Sequence, residues 1–168
     1  LSNFRRGVRS DSNMLMNRKI RPLVEMAERL KTRSDLSIPS AVLCKEVKGF
    51  GLYTPIEPAR FEAGIAHPVI VYCEVDNFSV QMNANQLWET KLEQEIVLYT
   101  ESGLPVWNDK KTPYVDVNRN RRRDFFVNKI ITLPANLQFG RYVLKVTVTD
   151  MHASRVAETS IPISVVAK

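Results

Sequence analysis

The apolar positions of this chain change rhythm once, near Pro39. Before it they recur at helical spacing: Ile20, Leu23, Val24, Ala27 and Leu30 form one stripe, and Arg21, Glu25, Glu28, Arg29 and Lys31 fill the other face. Asp11 or Ser12 can cap a first helix, and Pro22 either kinks it or opens a second at its first position. A single apolar stripe has to lie on something. The expected cover is the following domain, an upstream domain of the same chain, or a second copy, which would make a homo-oligomer through the helical segment. The stretch Thr32 to Pro39 is short, polar and ends in proline, so the boundary is placed there. Residues 1–37 are read as a basic helical segment and residues 38–168 as a domain of their own.

After the boundary the period becomes two. Strands are expected at Ala41–Val47, Val69–Val75, Leu87–Leu92, Glu95–Thr100, Pro105–Trp107, Arg123–Leu133, Leu137–Asp150 and Ala157–Val165. Val69, Val71, Cys73 and Val75 face one way, and the near-continuous apolarity of this run predicts a central strand. Leu87–Leu92 and Glu95–Thr100 read as a pair, and Ser102-Gly103 as a turn. Pro55, Pro58 and residues 61–68 read as one long connection. Pro162 has no donor for a ladder and marks an edge position. So many strands with no helix between them predict a mainly β fold, an antiparallel sandwich of about seven to nine strands.

The clearest stretch is Leu137, Gly140, Tyr142, Leu144, Val146, Val148 and Asp150, which reads LxxGxYxLxVxVxD. Gly140 suits a tight turn with positive φ, and Tyr142 can bury its ring while its hydroxyl returns to the backbone before the turn. Followed by a last alternating strand, this pattern resembles the closing hairpin of immunoglobulin-like and fibronectin-type-III-like modules, with Tyr142 placed like their tyrosine corner. Phe61, Gly64 and then VIVYCEVDNF, Val69 to Phe78, are similar to an early strand in sandwich modules of large, uncharacterised bacterial envelope or secreted proteins. The resemblance covers residues 38–168. It implies an immunoglobulin-like sandwich in an extracytoplasmic protein and no particular activity. The chain departs from antibody domains in lacking their Cys…Trp…Cys spacing.

Composition sharpens the division. The chain has 168 residues, 44% of them hydrophobic and 25% charged, which suits one soluble domain with an appendage. No apolar run approaches the ~18 residues of a membrane span. It opens on Leu1 rather than Met and is expected to be part of a longer protein. Residues 1–36 hold nine basic and four acidic side chains, so nearly all of the net charge of +6 belongs to the leading segment. Such a segment is a solvated helix face or meets nucleic acid, anionic lipid or an acidic protein, with nucleic acid the less favoured.

Candidate chemistry is sparse. Cys44 and Cys73 lie in no metal-binding spacing. They read as two buried thiols, with a disulfide between two early strands as the alternative. His67 and His152 stand apart from any nucleophile motif and read as surface residues. Asp116-x-Asn118-x-Asn120 starts like a calcium loop but has Arg121 where glycine is needed and Val127 where a bidentate glutamate is needed. The densest basic run is Arg119, Arg121, Arg122 and Arg123, with Asp109 and Asp124 near enough in sequence to neutralise part of it. It is either a gatekeeper before the apolar FFV strand or an anion-binding patch. Trp88 and Trp107 are core aromatics or a sugar-binding face.

These readings point to a non-catalytic structural or interaction module with no metal and no cofactor, whose partner is a protein or an upstream domain. Arg119, Arg121, Arg122, Arg123, Trp88 and Trp107 are the candidate binding residues, and Gly140 and Tyr142 the structural ones. The alternatives are a carbohydrate-binding sandwich, and a nucleic-acid or anionic-surface binder acting through the basic N-terminal segment.

Overall fold

The computed structural model describes residues 34–167 together with the isolated positions Ile20, Pro22 and Met26. The helical segment expected over residues 1–36 therefore falls almost wholly outside the described residues. From Ser37 onward the chain is strand and turn: β1 (Ser37–Gly49), β2 (Leu52–Pro55), β3 (Arg60–Glu62), β4 (His67–Asp76), β5 (Gln81–Met82), β6 (Trp88–Thr100), β7 (Pro105–Asn108), β8 (Thr112–Asn118), β9 (Phe125–Leu133), β10 (Gly140–Asp150) and β11 (Arg155–Val166). One sheet has the order β2-β1-β4-β9. The other runs β3-β11-β10-β6, with β5, β7 and β8 also paired to β6. Every ladder is antiparallel except the short one between β3 and β11.

Alternation explains why the two sheets stack. Leu43, Val69, Val71, Cys73, Val75, Val127, Ile131 and Leu133 line one inner face, and Leu92, Ile96, Leu98, Leu144, Val146, Val148, Ile161, Ile163 and Val165 the other. All are buried, and each large aliphatic among them contributes about 1.5–3 kcal/mol of transfer free energy. Tyr142 sits in this core and its hydroxyl donates to the Gln138 carbonyl at 2.9 Å. Gly140, at φ 153°, lets the chain turn into β10 in a region that disfavours a Cβ.

The strand count differs from the expected eight. The proposed pair Leu87–Leu92 and Glu95–Thr100 is one continuous strand, β6, because Glu93 and Gln94 stay in register with Thr149 and Val148 of β10. Nothing between them breaks a strand, and the buried Gln94 finds polar partners inside. Strands β2 and β3 lie within the stretch read as a connection, and β5 and β8 were not anticipated. Between β2 and β3 the chain crosses from one sheet to the other through a cis Glu57-Pro58 bond, pairing first with Leu43 and then with Ser164. Pro162 lies just short of the β3 ladder, which begins at Ser164, so its missing donor costs no bond to β3.

Register also settles the cysteines. Ala41 pairs with Cys73 and Cys44 with Ile70, so Cys73 points into the core and Cys44 to the outer face of the same sheet. Both are buried and free. Two residues on opposite faces of one sheet cannot be bridged, which removes the disulfide alternative.

The outer face of the β2-β1-β4-β9 sheet is not simply open to water. The β1–β4 ladder ends at Cys44, β1 shifts register against β2 between Cys44 and Glu46, and the β1–β2 hairpin reaches over the face. Gly51 N–H donates to the Tyr72 hydroxyl at 2.8 Å, which in turn donates to Glu74 at 2.8 Å. The Tyr53 ring lies 4.5 Å from Tyr72, and Phe126 bridges Tyr72 to Phe50 at the hairpin tip.

Candidate functional site

Strands β8 and β9 belong to different sheets, so residues 119–124 must cross the end of the sandwich. The crossing is held from both sides. Tyr114, Asp116 and Asn118 share the inner face of β8, opposite Leu92, Thr90 and Trp88 of β6. The Asp116 carboxylate accepts from Arg122 Nε at 2.9 Å, Arg122 Nη2 at 3.3 Å and Asn118 Nδ2 at 2.5 Å. The Arg122 hydrogen bond is the main reason the Asp116 carboxyl lies below its ordinary range, against the opposing effect of burial. The same bond raises Arg122 further. The pair is partly solvated, so it shapes the loop more than it stabilises the fold.

On the other side, the Trp88–Asn118 register brings Trp88 under the loop, and the Arg121 guanidinium lies 5.8 Å from its ring centroid. Residues 118–124 line an open surface cleft of about 550 Å³. A second cavity of about 390 Å³ shares Arg122 and Asp124 with it and is walled by Phe50, Tyr114, Phe125 and Phe126. A third, more apolar groove of about 450 Å³ runs between β1 and β11, with Glu57 and Arg60 as its ionisable groups.

The structure thus collects Arg119, Arg121, Arg122, Arg123 and Trp88 at one end. Trp107 is not among them. It pairs with Leu98, ten residues along β6 from Trp88 and so roughly 33 Å away, and it is half-buried against the core. Asp109, expected to offset the arginines, instead pairs with Lys129 at 2.5 Å. That lysine points inward from β9, donates to the Lys110 carbonyl at 2.7 Å and to Thr112 Oγ1, and closes the gap between the β8 and β9 edges. The Asp116-x-Asn118 pattern marks the end of β8 rather than a calcium loop. Sequence reasoning missed Phe50, Tyr114, Phe125 and Phe126 as cavity walls. The alternation of TPYVDVN could have shown β8, but its polarity is inverted, with valines outward and Asp116 inward.

Other reactive groups are engaged in the fold. Burial pushes the Cys73 thiol up to about 12, although Gln94 Nε2 donates to its sulfur at 3.4 Å. Burial also raises Cys44, so both thiols stay protonated and weakly nucleophilic at neutral pH. Burial likewise pushes Tyr114 up to about 12, and its hydroxyl donates to Gln94 at 3.3 Å. His67 is partly exposed, as expected of a surface residue, whereas the His152 side chain is largely covered. His67 Nε2 lies 2.8 Å from the Glu62 carbonyl at the start of β4. The His152 side chain is 11% exposed and 3.7 Å from Glu89. Among the described residues no three His, Cys, Asp or Glu side chains gather as metal ligands, and no helix is long and apolar enough to cross a membrane.

No protein-family model matches the chain, and no curated protein matches it in sequence. Among solved structures it is similar to the C-terminal domain of Wzt, at 14% identity over 80% of this chain and 75% of that one, with a TM-score of 0.47. It is also similar to a CARDB domain from Pyrococcus furiosus solved in complex with di-metal ions, at 14% identity over 78% of this chain and 96% of that one, with a TM-score of 0.37.

Proposed function

We propose that this chain is a non-catalytic, immunoglobulin-like sandwich that binds an acidic ligand through its β8–β9 loop. The Tyr142–Gln138 bond supports the immunoglobulin-like part of the reading, since it is the corner contact that the closing pattern resembles. The binding part is carried by one observation: the loop gathers four arginines beside Asp124, with Arg122 bonded to Asp116 at its base and Arg121 over the Trp88 ring. A loop ordered in advance loses little freedom on binding, and an excess of arginine favours carboxylate or phosphate ligands. A sugar-binding face finds less support, because Arg121 covers the Trp88 ring and Trp107 is half-buried.

The test uses the full chain and hexaglutamate as the probe. Reversing Arg119→Glu together with Arg123→Glu leaves the Asp116–Arg122 and Trp88–Arg121 contacts in place. Affinity is expected to fall at least about tenfold, and wild-type affinity to fall with rising salt. Reversing Arg5, Arg6 and Arg9 to glutamate is expected to leave binding nearly unchanged. The opposite pattern would transfer the activity to the N-terminal segment and refute the loop.

A further inference from the structure

Resting on that reading, we infer that the acidic ligand is an extended peptide, which adds as a strand to the open edge of β8. Among the described residues β8 pairs only with β6. Its other edge therefore presents backbone N–H and C=O groups to whatever lies beside it, as an edge strand does. What lies beside it is not bulk surface. The cavity of about 390 Å³ is lined by Val115 and Asp116 of this strand, by Arg122 and Asp124 of the loop, and by Phe50, Phe125 and Phe126. Lys129 shuts the gap near Thr112, so the open length is the end of β8 nearest the arginine loop. There Val115 and Val117 are 59% and 42% exposed.

The common protections of an edge are thin at this end. Pro113 sits near the start of the strand, and Lys129 guards only that start. A peptide laid along residues 114–118 would place alternate side chains toward the Phe50–Phe126 wall, where apolar groups fit. Its end would run into Arg119 to Arg123, where carboxylates fit. Main-chain bonds would supply affinity and the alternating pockets specificity. The favoured sequence alternates apolar and acidic residues, and the positive loop selects it over a basic peptide.

The experiment is hydrogen exchange on the full chain with an eight-residue peptide alternating valine and glutamate. Alternate amides within residues 114–118 are expected to slow at least about tenfold. A valine–lysine peptide is expected to have no effect. Two further versions of the glutamate peptide carry N-methyl groups at odd or at even positions. One of the two is expected to lose binding at least about tenfold, because only one edge of the added strand can pair with β8. Binding that both methylated versions retain, with no slowing in β8, would overturn strand addition while leaving the arginine loop as an anion site. Slowing of the same amides by raising protein concentration alone would overturn it too, by giving the edge to a second copy. A glutamate peptide that does not bind at all would remove both this inference and the function on which it rests.

Discussion

Asp150→Ala is expected to lower stability by about 3–5 kcal/mol, the range for breaking a buried charge pair, out of a total that for such domains is about 5–15 kcal/mol. Asp150 closes β10 and is fully buried. Its carboxylate accepts from Ser79 N–H at 2.7 Å, His152 N–H at 3.0 Å, Ala153 N–H at 3.2 Å and Arg155 Nη2 at 3.1 Å. The same Arg155 nitrogen donates to the Asn77 carbonyl at 2.7 Å. One carboxylate thus ties the turn of the β10–β11 hairpin to the segment leaving β4 in the other sheet. Burial by itself would raise this carboxyl, but the Ser79, Ala153 and Arg155 bonds outweigh it and hold the group below the ordinary aspartate range. A lowered folded-state value means that the contribution is present above the unfolded value and lost as pH falls below about 4. The gap between wild type and variant, measured by urea denaturation, should therefore be full at pH 7 and shrink in acid. A loss under about 1 kcal/mol at pH 7, the scale of one ordinary hydrogen bond, would mean that the carboxylate is hydrated rather than built into the fold.

The second large effect concerns the outer face of the β2-β1-β4-β9 sheet. Tyr72→Ala is expected to cost about 3–5 kcal/mol, as much as an aromatic deletion in the core. Tyr72 points away from the sandwich interior yet is fully buried beneath the β1–β2 hairpin. Burial is the chief reason its hydroxyl is pushed up to about 12, so it stays neutral and able to donate to Glu74. Tyr72→Phe should cost less, about 1–2 kcal/mol, because it leaves the Gly51 N–H without its acceptor but keeps the ring. Ile130, on the same outer face but 74% exposed, is the contrast: Ile130→Ala should fall within about 0.5 kcal/mol of wild type. Equal effects at Tyr72 and Ile130 in denaturant titrations would dissolve the second cluster.

What the sequence showed followed from local alternation. Strands β4 and β10 carry uninterrupted apolar periods, those of β9 and β11 are broken only at Lys129 and Thr159, and each strand lies within a few residues of its expected place. The Tyr142 hydroxyl reaches back four residues, a distance that sequence alone can supply. What was hidden depends on pairing. The opposed faces of Cys44 and Cys73 follow only from the Ala41–Cys73 register. The Trp88–Arg121 contact exists because Trp88 pairs with Asn118, thirty residues on, and Asp116 became a loop anchor only when Arg122 folded back on it. The cover that the β1–β2 hairpin gives Tyr72 likewise depends on the register shift beyond Cys44.

The two tryptophans offer the most direct test that the β8–β9 loop and Trp88 form one binding surface. With hexaglutamate added to the full chain, the indole N–H resonance of Trp88 should shift in step with the amides of residues 116–124, while that of Trp107 stays in place. Movement at Trp107, or shifts confined to residues 1–33 with Trp88 unmoved, would contradict it.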